Sequence, residues 1–126
     1  MSYARKVTVD VVTAADETFS VDTVPLTGKL SAIHYVKHGS NAFPDTVDFT
    51  ITNKRTGEVL WQESNVTASK VCRPRGATHS TAGAASLYAA AGQAVLDKIA
   101  LAGDEITIAI AQGGVAKNGQ FIIVVE

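Results

Sequence analysis

Residues 104–125 read DEITIAIAQGGVAKNGQFIIVV, and their pattern decides the fold class. Ile106, Ile108 and Ile110 recur at every second position, which places them on one face of an extended strand. Asn118-Gly119 is a strong type I′ turn signal, since both central residues of that turn need positive φ. The apolar run FIIVV at 121–125 suggests a strand covered on both sides. Together these features predict an antiparallel hairpin, 104–112 with 121–125, around Asn118-Gly119.

The same period continues outward. Val7, Val9 and Val11 alternate with Thr8 and Asp10, predicting a first strand over 6–13. Ala14-Ala15-Asp16-Glu17 reads as a turn, 18–21 as a short strand, and Pro25 as an edge or loop signal. Over 29–37, Leu30, Ala32, His34 and Val36 share one face and Ser31, Ile33, Tyr35 and Lys37 the other. Both faces carry apolar groups, so this strand is expected to be central or covered by a neighbouring subunit. Residues 38–45 (HGSNAFPD) are dense in turn formers. Residues 46–52 and 58–63 read as strands joined by Asn53-Lys54-Arg55-Thr56-Gly57, with Gly57 suited to positive φ. Residues 66–72 form a weaker strand, and 94–100 fit a helical turn or a buried strand equally. Val, Ile and Thr exceed a quarter of the chain, as β-branched residues do in sheets. The expected fold is all-β: one domain over 1–126, an antiparallel β-sandwich or jelly-roll-like barrel.

One segment breaks the pattern. Residues 73–93, RPRGATHSTAGAASLYAAAGQ, consist mainly of Ala, Gly, Ser and Thr. An insertion of this length without strand pattern is uncommon in a small domain and is usually functional or disordered. It is expected to form a long loop or arm. Arg73 and Arg75 flank Pro74 and could pair with carboxylates of a partner, while Leu87 and Tyr88 are its candidate apolar anchors.

Composition bounds the function. A formal net charge of -1 gives no footprint for nucleic acid. No apolar run approaches the roughly 20 residues that span a bilayer, and the start of the chain lacks the apolar core of a signal peptide. A single Cys72 excludes an internal disulfide and suits a reducing cytoplasm. His34, His38, His79 and Cys72 match no zinc spacing. Cys72 beside Arg73, with His79 nearby, is thin support for a thiolate nucleophile. No nucleophile elbow or phosphate-binding glycine motif occurs. No catalytic residue, metal ligand or cofactor is expected. A carbohydrate-binding module would need an exposed aromatic platform, and aromatics are only 6% of the chain; Trp61 beside Tyr88 on the surface would favour it.

VTVDVVTAAD, TGKLSAIHYVKHG, VDFTITNKRTGEVLWQES, RPRGATHSTAGAASLYAAAG and VLDKIALAGDEITIAIAQGG cover nearly the whole chain. They resemble a family of small proteins encoded by tailed bacteriophages and prophages. That resemblance implies a virion structural protein, assembled in the bacterial host cytoplasm, and transfers no functional residue. The expected role is a head decoration or cement protein that binds the major capsid protein or another virion protein. A head-to-tail connector and a tail or fibre component are the alternatives. A homo-oligomer is expected, with a trimer or another small closed ring favoured.

Overall fold

A computed structural model describes residues 4–126; the polar start of the chain, residues 1–3, lies outside the described residues. The strands are β1 (Arg5–Val12), β2 (Phe19–Asp22), β3 (Leu26–Lys37), β4 (Asp48–Asn53), β5 (Val59–Glu63), β6 (Lys70–Cys72), β7 (Arg75–Ala77), β8 (Leu96–Asp104), β9 (Ile106–Ala111) and β10 (Asn118–Val125). No helix occurs among the described residues. One sheet runs β1-β10-β3-β8-β7, with β6 added along the second half of β3. The other runs β2-β9-β4-β5. Every strand pair is antiparallel, and the two sheets face each other as a β-sandwich.

Alternation builds the core from both inner faces. Val11, Leu30, Ile33, Tyr35, Phe121, Ile123 and Val125 come from the first sheet, and Phe49, Ile51, Trp61, Ile106, Ile108 and Ile110 from the second. An aromatic cluster joins them. The Phe49 ring meets Tyr35, Phe121 and Trp61 edge-on, at centroid distances of 4.7, 5.0 and 5.8 Å.

The expected hairpin at Asn118-Gly119 does not form. β9 and β10 lie in different sheets, and residues 112–117 carry the chain across the sandwich. The positive-φ residues of this crossing are Gln112, Gly114 and Ala116, while Asn118-Gly119 opens β10. Thr13 holds the crossing: its hydroxyl donates to the Gly114 carbonyl at 2.6 Å and accepts from the Lys117 amide at 2.8 Å. Gly119 serves close approach instead of a turn. A Cβ there would lie 2.8 Å from Phe43 Cζ and 3.2 Å from Tyr35 Cε1.

The strand read over 104–112 is also divided. β8 ends at Asp104 and β9 begins at Ile106, so the chain changes sheets at Glu105. The 94–100 ambiguity resolves to strand, since β8 begins at Leu96. The weak strand over 66–72 shortens to β6; Val66 is buried, and its amide donates to the Val47 carbonyl. The hairpin at Asn53–Gly57 forms as read, with Gly57 at φ 75° and its amide on the Asn53 carbonyl at 2.8 Å.

In β3, Val124 pairs with Ala32 and Val125 with Leu30, leaving Ser31 as a bulge residue. The bulge reverses which parity faces the core: Leu26 and Leu30 point inward before it, Ile33 and Tyr35 after it. The bulge therefore accounts for the inward-facing Leu30 at the parity opposite to Ile33 and Tyr35, while Val36, beyond it, faces outward and is 40% exposed.

Asp104 ties the two sheets at the point where the chain crosses. Its carboxylate is buried at the end of β8 and accepts from Arg55, in the β4–β5 turn, with Arg55 Nε at 2.5 Å and Nη2 at 3.2 Å. The Ala102 amide adds a bond at 3.1 Å. The Arg55 hydrogen bond, followed by the Ala102 amide, holds the Asp104 carboxyl well below the usual carboxylate range. A depressed folded-state pKa gives a contribution fully present above the unfolded value of about 3.9 and lost as pH falls below it. Asp104→Asn is expected to lower the melting temperature at pH 7 and to flatten its acid limb. Thermal unfolding followed from pH 7 down to about pH 2 checks this; an acid limb as steep as the parent's would place the titrating group elsewhere.

Candidate functional site

The Ala/Gly-rich segment is ordered by hydrogen bonds. β8 leaves the sheet as it runs toward its N-terminal end: residues 99–104 pair with β3, while Leu96, Asp97 and Lys98 pair only with β7. The β7–β8 ribbon therefore extends past the edge of the sandwich. At its base Pro74 is buried, and a Cβ on Gly76 would touch Ile99 at 3.6 Å. Thr78 closes the ribbon, since its amide donates to the Val95 carbonyl at 2.9 Å.

Two tight turns form the tip. In the first, the Ser80 amide donates to the Ala84 carbonyl, and Gly83 adopts φ 80°. In the second, the Tyr88 amide donates to the Gln93 carbonyl and the Gly92 amide to the Ala89 carbonyl. Ser86 joins them: its amide donates to the Thr78 carbonyl, and its carbonyl accepts from the Val95 amide, each at 2.9 Å. Small residues make this double turn possible. A Cβ on Gly92 would lie 2.9 Å from the Ala89 carbonyl oxygen. Residues 79–93 are exposed throughout except Ser86.

The four residues singled out by sequence have different fates. Tyr88 is 75% exposed and Leu87 44% exposed, both on the tip. Arg73 is exposed at the entry to the ribbon. Arg75 is half-buried, and its guanidinium donates to the Pro74 and Ser31 carbonyls at 2.7 and 3.2 Å, so it braces the arm on β3. Leu96, 54% exposed, joins the apolar set. Pairing of Leu87 with Ala94, and of Ala77 with Leu96, places Leu87 and Leu96 on one face of the ribbon. Leu96 escapes sequence reasoning because VLDKIAL has the composition of a buried element; only its place beyond the sheet edge exposes it.

The other candidates lie on separate elements of the fold. His38 Nδ1 accepts from the Asn41 amide at 2.9 Å and orders its loop. His34 is half-buried on β3, opposite Val71. Burial first, then the neighbouring Glu63, pushes the Cys72 thiol up, which disfavours the thiolate. Among the described residues no three His, Cys, Asp or Glu side chains cluster as a metal site. Trp61 lies in the core and Tyr88 on the arm, so they form no shared platform.

A recess of about 480 Å³ opens beside the exposed Val12 and Val36 at one end of β1, β3 and β10. No protein-family model matches this chain, and no curated protein matches it.

Proposed function

We propose that this protein is a non-enzymatic structural component of a tailed-phage virion, a head decoration protein that docks its arm on the capsid surface. The resemblance along the chain supplies the virion setting. The carrying observation is the arm: an ordered ribbon extending beyond the sandwich and presenting Leu87, Tyr88 and Leu96 to solvent. Ordering the arm within the free protein reduces the entropy lost on docking. An exposed tyrosine with apolar neighbours is the composition of an interface anchor. Arg73 remains available for a carboxylate at the rim, where a charge pair contributes little.

Replacing Leu87 and Tyr88 together by Ser tests the reading. The variant is expected to melt like the parent, because both side chains are exposed. Its binding to capsids lacking this protein should fall at least about tenfold in co-sedimentation. A folded variant that binds like the parent would remove the arm from the attachment surface.

A further inference from the structure

We propose that β1 pairs with β1 of a second copy about a two-fold axis at Thr8, joining the two larger sheets into one. This contact stands on the edge strand alone and does not depend on the virion reading. Among the described residues β1 pairs only with β10, so its other side is an open edge. Its eight residues pair with β10 without a bulge and contain no proline. The remaining edges, β2, β5, β6 and β7, are five residues or fewer. A long regular edge is a ready template for a further strand.

The hydrogen-bond phase decides which groups face outward. Thr13 donates its amide to the Lys117 carbonyl, continuing the β1–β10 register. Asn118, opposite Val12, turns its amide away from β1 to the Asn41 carbonyl. Odd-numbered residues of β1 therefore bond to β10, and Lys6, Thr8, Asp10 and Val12 direct their backbone groups to the open edge. A second β1 must set even-numbered residues opposite one another.

Charge then selects one register. With Thr8 opposite Thr8 of the second copy, Lys6 faces Asp10 and Asp10 faces Lys6, all on the outer face. Slipping two residues either way sets both charges opposite neutral residues. Slipping four sets Lys6 against Lys6 or Asp10 against Asp10. On the inner face the chosen register places Val7 opposite Val9 of the second copy. Val7 and Val9 pack against the core yet remain half-exposed at the edge, and the added strand would cover them. The two-fold rotation repeats each of these contacts once, and sets Thr8 against itself, as an isologous interface requires. This geometry argues for a dimer contact in place of the expected trimer.

The full chain is expected to be dimeric by sedimentation at about 100 µM, within the range of a small interface. Lys6→Asp or Asp10→Lys alone sets like charges opposite at both symmetric positions and should weaken the dimer about tenfold or more. The double variant Lys6→Asp/Asp10→Lys restores opposite charges and should restore dimerisation. In the parent, amide exchange at Lys6, Thr8 and Asp10 should be slow at high concentration and speed up on dilution. A monomeric parent at this concentration, single variants that dimerise like the parent, a double variant no better than the singles, or edge amides that exchange fast regardless of concentration would each overturn the proposal.

Discussion

Phe49→Ala is expected to lower the free energy of unfolding by about 3–5 kcal/mol. Phe49 is fully buried on β4, and its ring contacts aromatic side chains from both sheets. Truncation loses the transfer energy of the ring and leaves a cavity that the neighbouring rings of Tyr35, Phe43, Trp61 and Phe121 cannot all collapse into. A domain of this size is stable by only about 5–15 kcal/mol, so the loss is a large share of the total. Denaturant unfolding should show a lower midpoint with an unchanged slope. Val12→Ala, at a side chain 53% exposed, is the control and should shift stability by less than about 0.5 kcal/mol. A Phe49→Ala loss below about 1 kcal/mol would mean that the two sheets are not packed through this ring.

Gly119→Ala is expected to destabilise by about 1–3 kcal/mol, against the ordinary sign for a glycine in a strand. At a position with free space, Gly→Ala stabilises by about 0.4–1 kcal/mol because the unfolded chain has fewer conformations to lose. The backbone of Gly119 instead lies directly against the Phe43 ring, which stacks on Tyr35 at 6.1 Å and is itself buried. The new methyl must displace that ring or bend β10. Combining it with Phe43→Ala removes the obstacle, so the two losses should be far from additive. Additive losses, or a stabilised single variant, would show that the close approach does not set the residue at this position.

Local chemistry carries much of this fold. Period-two alternation in VTVDVV, VDFTIT and ITIAIA marks strands that exist. Asn53 and Gly57 mark a hairpin that exists, because that turn is closed by its own side chain and backbone: Asn53 Oδ1 accepts from the Arg55 amide at 3.0 Å. Asn118-Gly119 carries an equally good local signal and means something else. Its glycine answers to Phe43, which lies distant in sequence and comes beside it only through the Ala42–Asn118 bridge. A turn signal reports that positive φ is allowed, and an aromatic ring arriving from another loop can require glycine for a different reason.

The arm divides in the same way. Its small residues, its arginines and its Leu-Tyr pair are legible as an exception to the strand pattern. That they form a ribbon pinned at Ser86 is not, because each bond there joins backbone groups whose partners no side-chain pattern specifies. The exposure of Leu96 and the bracing role of Arg75 likewise follow from where β8 leaves the sheet.

By itself the sequence determined that this protein is all-β, where most of its strands lie, and which segment departs from them, since alternation and turn chemistry act over a few residues. Only the tertiary structure decided which sheet each strand joins, because consecutive strands with the same pattern can pair or cross the sandwich at equal local cost. The bulge at Ser31, the crossing held by Thr13 and the open edge of β1 all follow from that assignment. They depend on long-range packing, which decides where each strand's apolar face can be buried.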